Sequence, residues 1–123
     1  MLVLLLAAAA AASCANPQTQ GEMTRCAGQA YQAADAEMTR QWKVRYAAMK
    51  RRDAQDTSRG GGFGYAAALL ESQRAWLRFR DTQCVIEGAE FSGGSARPMA
   101  QAQCRARLTR QRTAQLKSLD WQK

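Results

Sequence analysis

Ser72-Gln73-Arg74-Ala75-Trp76-Leu77-Arg78-Phe79-Arg80-Asp81-Thr82-Gln83-Cys84 is the stretch that decides the fold of this chain. At about 100° per residue, Leu69, Gln73, Trp76, Leu77, Arg80 and Cys84 share one face, with Ala66 and Leu70 extending it. Glu71, Arg74, Arg78 and Thr82 lie opposite. The pattern is an amphipathic helix whose inward stripe holds a glutamine and an arginine. A buried polar group left without a partner costs about 1–3 kcal/mol, more if charged. The stripe therefore requires neighbouring helices that supply partners, and a cysteine that fastens one of them.

Downstream, Gly88 and the Gly93-Gly94 pair end this helix within a glycine-rich loop, GAEFSGGS. Ser95 is placed to cap a last helix, with Pro98 tolerated in its first turn. That helix carries Gln101, Cys104, Leu108, Arg112, Gln115 and Leu119 on its inner side, and Trp121 is expected to fold back over its end. Upstream, DAQDTSRGGGFG (residues 53–64) breaks the helical pattern. It is expected to be a mobile connection; no Gly-Lys-Ser/Thr follows, so it is not a phosphate-binding loop. Before it runs a long helix, from about Gln20 to Arg52, opened by the capping box Thr19-Gln20-Gly21-Glu22. Its stripe is Met23, Ala27, Tyr31, Ala34, Met38, Trp42, Arg45 and Met49, with Asp35 on the flank and Glu37 pointing away. There is no internal repeat and no strand-like alternation. The expected fold is all-α: a small disulfide-bonded bundle of three principal helices with glycine-rich connecting loops.

The 123 residues suffice for one domain with a modest core. Alanine supplies much of the 46% hydrophobic content. The core should therefore rest on Trp42, Trp76, Tyr31, Phe79, Met38, Leu69 and Leu108.

Residues 1–12, MLVLLLAAAAAA, are too short for a transmembrane helix, which needs about 20 residues, but suit a secretory signal peptide. Cleavage after Ala12 leaves a domain of residues 13–123 with four cysteines, Cys14, Cys26, Cys84 and Cys104, enough for two disulfides in an oxidising compartment. The competing reading takes Ala11-Ala12-Ser13-Cys14 as a lipoprotein box; lipidation of Cys14, or later cleavage, leaves an odd cysteine. Localisation is expected to be periplasmic or secreted. Cys84 and Cys104 lie on the inner stripes of helices joined by one loop, and a bond between them closes that hairpin.

The chain has no histidine and no C-x-x-C pair, which argues against zinc and any other metal or cofactor. Without histidine no Ser-His or Cys-His nucleophile can be built, and disulfides leave no free thiolate. The chain is read as non-enzymatic. Inside the bundle, Arg80 is expected to pair with Asp35 and Asp81 with Arg112, a structural polar network rather than a binding cleft.

The net charge of +8 is concentrated: six basic residues and no acid between Arg40 and Arg52, and seven against Asp120 alone from Arg97 onward. For an exported chain this points to anionic lipid, anionic wall polymer or an acidic protein rather than nucleic acid, or simply to a solvated surface.

Several blocks resemble the LprI-like lysozyme-inhibitor family: Cys14…Thr19-Gln20-x-Glu22-Met23-x-x-Cys26-Ala27, Ala34-Asp35-Ala36-Glu37, Gln73-Arg74-Ala75-Trp76-Leu77-x-Phe79-Arg80-Asp81-x-x-Cys84, Gly93-Gly94-Ser95…Pro98-Met99…Cys104 and Leu108-Thr109-x-x-Arg112-Thr113. The resemblance spans essentially the whole mature chain. It implies a helical, disulfide-bonded envelope protein, with Cys14 retained as the partner of Cys26, and a protein-binding module that inhibits lysozyme. The alternatives are a basic module binding anionic lipid or wall polymer, and an accessory structural domain. An inhibitor must put a protruding segment into a cleft lined by two carboxylates. The candidate segments are Ser58, Arg59 and Phe63 in the first loop and Glu90, Phe91, Ser92 and Ser95 in the second. Animal-type lysozymes are basic, so the contacting loop should be locally acidic; Glu87 and Glu90 beside Phe91 favour the second.

Overall fold

The computed structural model describes residues 14–58 and 60–121. The expected signal peptide and Arg59 lie outside these residues. Among the described residues three principal helices make the fold: α1 (Gln20–Gln55), α2 (Tyr65–Gly88) and α3 (Arg97–Lys117), with a 3₁₀ turn at Ala89–Phe91 between the last two. Among the described residues there is no strand.

Each helix start is fixed differently. Thr19 is extended, and its hydroxyl accepts the Glu22 N–H at 3.1 Å, the capping box expected from the sequence. The Glu22 carboxylate reaches one residue further back, to the Gln18 N–H at 2.7 Å. At α3 the cap is Ala96 and makes no side-chain hydrogen bond, so Ser95 does not cap; Pro98 sits in the first turn, where its missing N–H costs nothing. At α2 the cap is Gly64, in the left-handed region at φ 85°, with no side chain to offer. The loss is made good from α1: Asp53 accepts the N–H of Tyr65 at 2.7 Å and of Ala66 at 3.0 Å.

The chain runs up, down and up. Gln20 at the start of α1 meets Met99 at the start of α3, their side chains 3.5 Å apart, while Arg45 late in α1 pairs with Asp120 just past α3 at 3.0 Å. Helices α1 and α3 are therefore parallel neighbours, with α2 antiparallel to both. The two loops lie at opposite ends, about 36 Å apart along the 24 residues of α2.

Two apolar clusters fill the interior. Met38, Met49, Ala66, Leu69 and Leu116 form the larger; Cys84, Cys104 and Leu108 form the smaller, and Trp76 packs against both. Phe79 does not join them. It is 52% exposed, because it lies well off the stripe through Gln73, Trp76, Arg80 and Cys84; its size suggested the core, but its phase does not. Gly88 is buried where α2 approaches α3, and a Cβ there would come within 2.5 Å of the Gln101 side chain.

Both disulfides form, Cys14–Cys26 and Cys84–Cys104, with Cα separations of 5.4 Å. The first occupies the sulfur that a lipid on Cys14 would need, so this bond and the lipoprotein alternative exclude each other.

Candidate functional site

The polar interior is a two-storey stack around Trp76. Arg80 is 6% exposed. Its Nη1 donates to Asp35 Oδ1 at 3.2 Å and to the Thr109 hydroxyl at 3.4 Å, and its Nε donates to Asp81 Oδ1 at 3.0 Å. The guanidinium also lies over the rings of Tyr31 and Trp76, each 5.3 Å away. Arg112 lies over the same Trp76 ring at 5.8 Å. It donates to Gln73 Oε1 at 2.9 Å, the Ser72 hydroxyl at 3.1 Å and Gln115 Oε1 at 3.2 Å. These acceptors are all neutral, and burial pushes the Arg112 guanidinium below its ordinary value.

The expected Asp81–Arg112 pair is absent from this stack. With Cys84 bonded to Cys104, each residue earlier on α2 faces one equally later on α3. Arg112 therefore comes level with Trp76 and within reach of Gln73, while Asp81 stays near the bonded cysteines, with Arg105 3.7 Å away. Glu37, expected to point away, pairs with Arg40 and reaches Lys117 at 4.0 Å.

The first loop is tied down from within. The Asp56 carboxylate accepts the Ser58 hydroxyl at 2.6 Å, the Ser58 N–H at 3.0 Å and the Phe63 N–H at 3.0 Å. The Ser58 hydroxyl, with the two N–H groups behind it, holds Asp56 below the usual carboxylate range. Gly60, Gly61 and Gly62 have positive φ, so the triplet serves the turn. Ser58 is spent on Asp56, whereas Phe63 projects, 71% exposed, against the Tyr65 ring at 4.8 Å.

The second loop offers more. Glu90, Phe91, Ser92 and Ser95 are all exposed. Glu87 is not part of it: it sits in the last turn of α2, bound to Arg107 at 2.7 Å, whose hydrogen bond lowers its carboxyl pKa. The outward face of α2 leads into this loop with Phe79, Val85 and Ile86 all exposed. Sequence patterning marked the inner stripe of α2 and passed over these outer apolar residues, although Phe79 and Ile86 stand two helical turns apart.

The chain has no histidine, every cysteine is in a disulfide, and among the described residues no three metal-ligating side chains cluster. Among them, too, no helix is long and apolar enough to cross a membrane. The two disulfides fit a compartment other than the cytoplasm. Fold and site together define a small helical, disulfide-bonded module with a polar interior and an exposed apolar edge.

The chain belongs to the lysozyme inhibitor LprI family, whose profile matches residues 10–116. It is 40% identical over 126 residues to an uncharacterized protein of Rhizobium meliloti (strain 1021), covering 96% of this chain and 91% of that one. No solved structure matches.

Proposed function

We propose that this protein is an exported, non-catalytic binding module that inhibits a lysozyme, docking through the second loop and the outer edge of α2. Membership of the LprI family supports an inhibitor-like role. The apolar leader and the two disulfides support a periplasmic or secreted location.

The observation that carries the choice of surface is the exposed run of Phe79, Val85, Ile86 and Phe91. It lies where the molecule is not basic: α2 balances Glu71, Asp81 and Glu87 against Arg74, Arg78 and Arg80, and Glu90 follows, whereas α3 has six basic residues and no acid. A basic enzyme is repelled by α3 and not by this edge. Ser92 and Ser95 supply neutral donors for cleft carboxylates, and Glu90 faces a basic rim.

Lysis of cell-wall suspensions by animal-type and other lysozymes tests this, with purified mature protein at low and moderate salt. Inhibition is expected to weaken in Ile86→Glu and in the Ser92→Ala/Ser95→Ala double variant. No inhibition of any lysozyme at micromolar protein sinks the proposal. Inhibition untouched by both variants moves the surface elsewhere.

A further inference from the structure

We propose that the opposite end of the bundle, around the first loop, binds a small anionic amphiphile: one carboxylate or phosphate carried on an apolar tail. Two cavities adjoin there. One, of about 490 Å³, is lined by Arg45, Arg51 and Arg52 together with Asp56 and Asp120. The other, of about 200 Å³, is apolar, with Phe63, Ala68 and Leu69 in its wall. Met49, Tyr65, Leu119 and Trp121 line both, so the cavities lie side by side and together offer one ligand a charged and an apolar half.

The charges in the cationic half do not cancel. Both Asp56 oxygens are occupied by Ser58 and Phe63 of its own loop. Asp120 is paired with Arg45 through Nη1 at 3.0 Å. Arg51 and Arg52 are left without a carboxylate among the described residues. Arg52 is held in place by two rings, 5.5 Å from the Tyr65 centroid and 5.2 Å from that of Trp121. A guanidinium stacked on ring faces keeps its N–H edge available for an oxyanion.

The apolar half selects the rest of the ligand. An inorganic anion would leave it unfilled, and a neutral hydrocarbon would leave the guanidinium groups unpaired. A molecule with an anionic head and an apolar tail satisfies both, and the volumes are in the range of small-ligand sites, about 300–1,000 Å³. The groove lies at the opposite end of α2 from the second loop and shares no residue with the edge assigned to lysozyme, so it adds to that function and stands or falls apart from it.

Calorimetric titration of the folded mature protein tests this with three probes: dodecyl phosphate below its micelle concentration, inorganic phosphate, and neutral dodecyl maltoside. Dodecyl phosphate is expected to bind saturably, one to one, and at least roughly tenfold more tightly than either control, about the effect of one charge-assisted hydrogen bond against the maltoside and of about two buried methylenes against inorganic phosphate. Arg51→Gln/Arg52→Gln should weaken it by roughly tenfold or more. Phe63→Ser should weaken dodecyl phosphate and leave inorganic phosphate unchanged. Circular dichroism checks that each variant is folded, and Arg51→Gln alone, on an exposed residue, serves if the double variant is not. The proposal is overturned by no saturable binding up to millimolar dodecyl phosphate, by equal binding of dodecyl maltoside, or by affinity indifferent to the folded arginine variants. Binding to phosphatidylglycerol vesicles with none to monomeric dodecyl phosphate overturns it equally, because that identifies a membrane surface and not a groove.

Discussion

The carboxylate of Asp53, near the end of α1, caps α2 by accepting the N–H of Tyr65 at 2.7 Å. It accepts Ala66 N–H as well, at 3.0 Å. A glycine precedes α2, so nothing local can do this, and the negative charge also complements the positive end of the helix dipole. Asp53→Ala is expected to cost about 1–2 kcal/mol, the range of a lost N-cap. Asp53→Asn should recover little, because its NH₂ would face a backbone N–H. Urea unfolding of the three proteins measures both; an alanine variant as stable as the parent shows that water caps α2 equally well.

Asp56 and Glu87 make stability depend on acid. Hydrogen bonds from Ser58 and from Arg107, respectively, lower the two carboxyl groups below their ordinary values. A depressed carboxyl contributes stability above its unfolded pKa and loses it as pH falls through the folded one. Melting temperature should therefore be level through neutral pH and fall below the ordinary carboxylate range. Asp56→Asn and Glu87→Gln should each start lower at neutral pH and fall less on acidification. Parallel curves for parent and variants would show that these two groups are not the cause.

Arg80 and Arg112 share one tryptophan but should respond differently to replacement. Removing Arg80 leaves Asp35 and Asp81 facing each other across its empty place. Breaking a buried pair costs about 3–5 kcal/mol, and the half-exposed carboxylates put Arg80→Met near the lower end. Arg112 has only neutral partners and already bears the cost of burial. Arg112→Met keeps the volume and relieves that cost, but it leaves the buried Gln73 Oε1 without its donor, so it should cost about 1–2 kcal/mol, less than Arg80→Met. Denaturant midpoints decide, and equal losses would mean that Trp76 packing, not charge, governs both sites.

The legible part of this molecule was its inner face. Helical spacing placed Leu69, Gln73, Arg80 and Cys84 together, and one carboxylate on the flank of α1, Asp35, lies beside Arg80. The Arg112 contacts were missed even though the information was present: a Cys84–Cys104 bond sets the register of α2 against α3 and carries Arg112 past Asp81 to Gln73. Loop chemistry was less legible. Glycine content suggested a mobile connection over residues 53–64, but Asp53 and Asp56 fasten it to backbone N–H groups, and no periodic pattern reveals a carboxylate acting on a loop amide. The groove at that end draws on Arg45 and Arg52 from α1, Tyr65 from α2 and Trp121 beyond α3, so only the packed bundle brings it together.

The two disulfides should open in order. Cys84 and Cys104 are 0% and 1% exposed, enclosed by Leu108 and Trp76. Cys14 and Cys26 are only partly buried, Cys14 on the segment that precedes α1 and Cys26 near the start of that helix. Thiol exchange needs a thiolate to reach a sulfur, so mild reductant on native protein should cleave Cys14–Cys26 first and leave the other bond until the bundle unfolds. The stability effects should also differ. Cys84–Cys104 joins two core helices across 20 residues, and closing such a loop is worth about 3 kcal/mol in the unfolded-chain picture. Cys14–Cys26 spans 12 residues and ties a leader to a helix that is already capped at Thr19. Cys14→Ser/Cys26→Ser should therefore keep the helical spectrum and a cooperative melt, whereas Cys84→Ser/Cys104→Ser should also lose the register that aligns Arg112 with Gln73. Alkylation and peptide mapping after graded reduction gives the order, and thermal melts of the two double variants give the costs. Early reduction of Cys84–Cys104 would mean that the lower half of the bundle opens readily and is not the rigid platform that the second loop needs to enter a cleft.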